Sequence, residues 1–186
     1  MAVKTFTTGE VLTAADTNTY LANSGLVFVK QVTVGSGVST VNVTSCFSST
    51  YTNYRVMWQG IAASANSYMG VKLLVGTTVN AANGQGNTFY VATAAAGGLT
   101  NANYANALVL EAGNVTTSSD NAGWIEVQQP FATKYTYTQA CSADNNYLRW
   151  ANFVMTNATS YDGIQLLPGS GTLTGGTITV YGYRLG

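Results

Sequence analysis

Apolar and polar residues alternate in short runs from residue 26 to the end of the chain. The runs Val27–Val34 and Val38–Thr44 flank Gly35-Ser36-Gly37, a pattern that predicts a β-hairpin with a short glycine loop. The stretch 92–106, rich in Ala, Gly and Asn, is predicted as a loop. Further strands are predicted at 54–61, 68–76, 87–93, 105–111, 123–129, 133–139, 147–156, 163–167 and 176–184. About ten short antiparallel strands predict an all-β protein, an antiparallel β-sandwich with a jelly roll as the expected topology.

The first 25 residues have a different pattern, which predicts a short helix. Thr13 is a predicted N-cap, and Asp16, three positions later, completes a capping box. The helix is predicted over 14–22, and Asn23-Ser24-Gly25 ends it. So short a helix is unstable alone in water and needs a partner surface, in its own domain or in another chain. We therefore expect two parts, an N-terminal segment with a short helix at 1–25 and a β-sandwich domain at 26–186.

The composition is unusually poor in charge. Of 186 residues, 46% are apolar and only 8% are charged, with seven Lys and Arg against seven Asp and Glu. This combination excludes a disordered chain, and the few scattered cations exclude a nucleic-acid binder. A surface of neutral hydroxyls and amides responds little to salt, and a net charge near zero favours association. The composition indicates a protein built into an assembly, with an ordinary β protein of biased composition as the alternative.

The sequence offers little catalytic chemistry. It has no histidine, which excludes Ser-His-Asp and Cys-His pairs, and it has no phosphate-binding or dinucleotide-binding glycine motif. A pair of carboxylates meeting in the fold remains open as an alternative, but we expect no enzyme, no cofactor and no metal site. Asp120-Asn121 and Asp144-Asn145-Asn146 favour Asx turns over calcium loops.

The cysteines, the start of the chain and the length of its apolar runs bear on the compartment in which the protein is made. Cys46 and Cys141 lie far apart, and we expect free, buried thiols, although the sequence leaves open whether they pair. No secretory signal follows Met1, and no apolar run reaches the roughly 18 residues of a membrane span. We expect synthesis in the cytoplasm and no membrane insertion.

Aromatic residues are the candidates for surface contacts. Trp58 and Trp150 fall inside alternating strand patterns, which predicts that both are in the core. The remaining candidates lie at strand ends or in loops, where a ring can stack on a sugar. The candidate contacts for a glycan or another surface partner are Tyr90, Tyr104, Trp124 and Tyr161.

Three stretches resemble proteins of tailed-bacteriophage particles. The segment from Phe6 to Leu21, FTTGEVLTAADTNTYL, resembles the opening of many such virion proteins, where it precedes a fibre or tail-associated domain. The segment 171–184, GTLTGGTITVYGYR, is similar to their closing strand, and 54–60, YRVMWQG, resembles an early strand. The resemblance covers both ends and one interior strand; 92–106 has no counterpart.

The resemblance implies a homotrimeric, non-enzymatic structural protein of the virion. It would be a tail fibre, minor tail or receptor-binding protein whose partners are its sister chains, other virion proteins and a host surface glycan or receptor. A capsid decoration protein or head fibre is the alternative, and a free carbohydrate-binding module is a further one. The candidate residues for attachment to the virion are Phe6, Val11, Leu12, Ala15, Tyr20 and Leu21.

Overall fold

The computed structural model of the chain describes residues 5, 7–16, 25–80, 84–92, 99–107, 109–144 and 147–184, with backbone alone at 92 and 99–107. Within these ranges the regular structure consists of one short helix, α1 (Ala14–Asp16), and β-strands. The strands are β1 (Leu26–Thr33), β2 (Val41–Val43), β3 (Asn53–Gln59), β4 (Ala62–Ala63), β5 (Ser67–Val75), β6 (Thr78–Val79), β7 (Gly84–Ala92), β8 (Leu99–Ala107), β9 (Leu110–Val115), β10 (Asn121–Gln128), β11 (Thr136–Asp144), β12 (Tyr147–Met155), β13 (Gly163–Pro168), β14 (Leu173–Thr174) and β15 (Thr177–Tyr183).

The described strands form a large sheet, a small sheet and a short pair. The large sheet has the order β1-β15-β3-β10-β11-β12-β7-β8. The small sheet has the order β2-β13-β5-β6, and β9 pairs with β5 on the side where β6 also lies. The short pair consists of β4 and β14. Every strand pair in this part of the chain is antiparallel.

The two sheets pack face to face around one hydrophobic core. Because side chains alternate across a strand, β3 turns Tyr54, Val56 and Trp58 inward, and all three are buried. The small sheet meets them with residues such as Leu73 and Ile164 in the same cluster. The predicted all-β sandwich is confirmed. The jelly roll is not confirmed by this strand order, in which β10, β11 and β12 form a consecutive meander.

The predicted hairpin around Gly35-Ser36-Gly37 is wrong. β1 pairs with β15 in the large sheet, whereas β2 pairs with β13 in the small one. Between them the chain stays beside 173–176: the Val34 amide donates to the Gly176 carbonyl, and Val38 bridges Leu173. The glycines therefore let the chain cross from one sheet to the other. Alternation and a glycine loop predict two strands and a bend, but they do not predict which strands pair.

The loop predicted over 92–106 is also wrong for its described part. Residues 99–107 form β8, which pairs with β7 at the edge of the large sheet. Small and amide residues are poor strand formers, but an edge strand needs only one partner to satisfy its backbone. The strand predicted at 105–111 divides into the end of β8 and the start of β9.

The N-terminal segment confirms the predicted capping box. The Asp16 amide donates to Thr13 Oγ1 over 3.1 Å, and the Thr13 amide donates to Asp16 Oδ2 over 3.2 Å. A second pair of reciprocal hydrogen bonds, which was not predicted, links Thr7 to Glu10 at the same spacing. The Thr7 amide donates to Glu10 Oε2, and the Glu10 amide donates to the Thr7 carbonyl. The helix begins at Ala14 as predicted, and the rest of the predicted helix lies outside the described residues.

Candidate functional site

The large sheet presents a row of apolar side chains on the face that points away from the core. Antiparallel register places Met57, Trp124, Cys141, Trp150 and Phe89 side by side across β3, β10, β11, β12 and β7. Trp150 is 41% exposed, and the prediction that it lies in the core is wrong, because the register of β12 turns it to the outer face. We call these five residues the aromatic row.

A shallow groove of about 480 Å³ runs beside the aromatic row on the same face. Its floor is formed by the cross-strand neighbours Gln139, Asn152 and Asn87, and Tyr137 stands at one side. We call it the amide groove. Its lining residues are Gln85, Gly86, Asn87, Gln128, Tyr137, Thr138, Gln139, Asn152, Phe153 and Val154.

The five amide side chains of this groove have no hydrogen-bond partner among the described residues. Two amides elsewhere in the sandwich are paired: Gln31 donates to Thr179 over 2.9 Å, and Gln165 donates to Asn42 over 2.8 Å. In the groove the Asn87 Oδ1 atom is buried and still accepts no hydrogen bond. The unpaired amides are those of Gln85, Asn87, Gln128, Gln139 and Asn152.

A charged cluster lies between the groove and the sheet edge, and its charges cancel. Arg55 forms an ion pair with Glu126 and lies over the rings of Trp124 and Tyr183, 5.0 and 5.9 Å from their centroids. The Tyr183 hydroxyl donates to Glu126 Oε1. Burial, together with this hydrogen bond and the Glu126 charge, raises the pKa of Tyr183 to about 12. The cluster fixes the Trp124 ring and leaves this end of the face neutral overall.

The structure separates the four predicted contact residues. Trp124 lies on the outer face, in the aromatic row. Tyr90 points the other way, into a pocket of about 260 Å³ between the sheets, where its ring meets Tyr147 edge-on and lies 5.2 Å from the Arg149 guanidinium. For Tyr104 the structure describes the backbone, which pairs with Gly86.

Tyr161, the fourth, is fully buried, so the expectation that it is exposed is wrong. Its hydroxyl donates to Asn157 Oδ1 over 2.8 Å, and its amide donates to the Pro130 carbonyl. Burial raises the pKa of this hydroxyl. The Tyr161 side chain closes the core beneath a loop. Its burial could not be predicted from its place in the sequence, which is only that of a residue in a loop.

The predicted attachment residues are exposed where the structure describes them. Val11 is 78% exposed, Leu12 is 50% exposed, and Ala15 is exposed as well. Phe6, Tyr20 and Leu21 lie outside the described residues. Apolar side chains in this setting gain free energy if another surface covers them.

The two thiols are free, as expected, but only one is buried. Cys46 lies in the core, its thiol donates to the Val43 carbonyl, and burial raises its pKa to about 12. Cys141 is half-buried in the aromatic row, and burial raises its pKa too. Among the described residues no three His, Cys, Asp or Glu side chains are grouped to hold a metal ion. No helix in that part of the chain is long and apolar enough to cross a membrane.

Comparison with known proteins identifies no family: no protein-family model matches the chain, and no curated protein matches it significantly. The site is therefore argued from its own geometry. Sequence reasoning missed the amide groove because its residues come from four strands. The signal was present as Gln139 and Asn152 at outward positions of alternating strands, but only the register of β11 with β12 and β7 brings them together with Asn87.

Proposed function

We propose that this chain is a non-enzymatic structural protein of a bacteriophage particle, a trimeric tail fibre or receptor-binding protein attached through its N-terminal segment. The observation that carries the proposal is the exposure of Val11 and Leu12 beside a self-capped turn of helix, ahead of a closed sandwich. Two exposed apolar side chains beside α1, a described turn of helix in which no residue is buried, suit docking into another virion protein.

The outer face of the large sheet is the proposed contact surface of the sandwich. It combines a row of exposed and half-buried apolar side chains, three of them aromatic, with a groove of unpaired amides, which is a surface suited to recognition. Weak binding by each subunit would be strengthened in a trimer, because the second and third contacts form at high effective concentration.

A test of attachment uses the full chain with Val11→Asp and Leu12→Asp, supplied to a phage that lacks its own copy of the gene. A charge at each position opposes burial in an apolar socket, so the variant should fold but not enter particles. The control is Val75→Asp, which places one such charge on an exposed apolar position of the sandwich. Both proteins should fold alike by circular dichroism and have the mass of three chains by light scattering.

Incorporation of the Val11 and Leu12 variant at the level of the control would overturn the attachment proposal. Immunogold labelling of the control particles then locates the protein. Gold on the tail supports the fibre or receptor-binding assignment, whereas gold on the capsid favours the decoration protein or head fibre. A monomeric mass for the unaltered chain would contradict the trimer.

A further inference from the structure

The amide groove offers its ligand hydrogen-bond donors and acceptors in equal supply. Each carboxamide carries one oxygen, whose two lone pairs can accept two hydrogen bonds, and one nitrogen, which can donate two. Neighbouring hydroxyls of a sugar need this mixture, because each hydroxyl both donates and accepts. Gln139, Asn152 and Asn87 stand on adjacent strands in one row, about 5 Å apart, so that a chain of hydroxyls can follow them.

Among the described residues, the lining of the groove contains no charged side chain. The cross-strand neighbour of Gln139 on β10 is Glu126, whose charge is paired with that of Arg55. A phosphate, sulfate or carboxylate ligand gains most from Arg or Lys, and the groove presents neither. A cationic ligand would in turn need a free carboxylate. The charge pattern therefore favours a neutral ligand.

The groove also has an apolar side on which a sugar ring can rest. Tyr137 is 48% exposed, and its cross-strand neighbour Val154 lies in the same lining. The carbon-hydrogen face of a sugar packs on such a ring while its hydroxyls point to the amides. A volume of about 480 Å³ lies within the range of roughly 300–1,000 Å³ typical of small-ligand sites.

A peptide strand fits this groove less well than a sugar. A peptide that extends a sheet pairs with free backbone groups at an edge. The groove instead lies on the face of β10, β11, β12 and β7, whose backbone groups already pair with neighbouring strands on both sides. Recognition here must come from side chains alone.

We propose that the amide groove binds a neutral oligosaccharide, with a sugar ring packed on Tyr137 and its hydroxyls bonded to Gln139, Asn152 and Asn87. The natural source of the ligand, a host surface glycan, rests on the proposed function. The binding chemistry itself does not depend on it, because it follows from the groove.

The test presents the purified full chain to an array of neutral oligosaccharides (glucans, galactans, mannans and chitin fragments) and of anionic ones (sialylated and sulfated). Hits are then titrated by calorimetry. Gln139→Ala combined with Asn152→Ala should weaken binding roughly twenty-five-fold, at about five-fold for each neutral hydrogen bond lost. Gln59→Ala removes an exposed amide on the same face outside the groove and should leave the affinity unchanged. Tyr137→Phe should retain binding, whereas Tyr137→Ala should lose it.

Three results would overturn the inference. The first is no binding of any neutral oligosaccharide at millimolar concentration. The second is binding confined to anionic glycans, and the third is neutral binding that the Gln139 and Asn152 double variant leaves intact. If a second copy of the chain covers this face instead, the unaltered chain should bind no glycan, and the Gln139 and Asn152 double variant should change the mass measured by light scattering. That outcome would also overturn the inference. Failure here with normal incorporation into particles would sink the groove assignment and leave the proposed function standing.

Discussion

The exposure and the chemistry of a single residue in this protein depend more on its surroundings than on its type. Tyr137 and Tyr161 are both tyrosines near strand ends, yet one stands half-exposed beside the groove and the other closes the core. Tyr183 shows the effect on chemistry, because its hydroxyl donates to Glu126 and its ring lies under Arg55. A phenol held in this way has its own dependence on pH.

The contribution of Tyr183 to the stability of the fold should be lost as the solution becomes strongly alkaline. An unfolded tyrosine has a pKa of about 10, whereas the folded value is about 12. Below pH 10 both states keep the proton; above it the unfolded state releases the proton first, so the stabilising contribution is lost as the pH rises toward 12. The difference in unfolding free energy between the unaltered chain and Tyr183→Phe, measured in urea, should therefore shrink as the pH rises from about 10 to about 12. A constant difference would contradict the alkaline role of this hydroxyl.

At the scale of elements, glycines decide how closely the two sheets approach. The Trp58 ring of β3 packs against Gly123 of β10 and against Gly113 of β9, which belongs to the small sheet. A Cβ at Gly123 would overlap the Trp58 ring and approach Ser142. Because these glycines have no side chain, they leave room for the buried Trp58 ring.

Gly123→Ala should destabilise the fold by about 1–3 kcal/mol, the usual cost of adding a methyl group to a packed core. The control is Ala122→Ser, one position along β10, where the side chain faces solvent. Chemical denaturation followed by tryptophan fluorescence measures both. An unchanged midpoint for Gly123→Ala would show that Trp58 can shift without cost.

Much of this element structure could be predicted from alternation, and the failures have one physical cause. Strands such as β3, β12 and β13 follow their apolar pattern within one or two residues. Pairing is a long-range property, so the pattern at Gly35-Ser36-Gly37 could not show that β1 joins β15 while β2 joins β13. The amide groove failed to appear for the same reason. Its residues are ordinary in each strand and form a site only through register.

At the scale of the whole molecule, the scarcity of charge governs the response to solvent. The described ion pairs, Arg55–Glu126 and Arg149–Glu111, are both partly buried and hence little screened by salt. The sequence has no histidine to change charge near neutral pH. The free energy of unfolding should therefore respond little to salt and to pH near neutrality.

The free energy of unfolding should be nearly independent of ionic strength. Between about 0.01 M and 0.15 M sodium chloride the screening length falls from about 30 Å to about 8 Å, yet the change should stay below about 1 kcal/mol because few exposed pairs exist to be screened. Urea denaturation at both salt concentrations is the measurement. A larger change would show that surface charges contribute more to stability than their number suggests.

The position of β1 has a mechanical consequence. It is an edge strand, and the chain enters it directly from the N-terminal segment, with Gly25 held by the Arg184 amide. A pull on that segment along the axis of β1 loads every bond of the ladder from Leu26 to Thr33 at once, as in shear. A pull across the sheet peels the same bonds one after another, beginning at Leu26. The sandwich should therefore withstand drag far better in one direction than in the other.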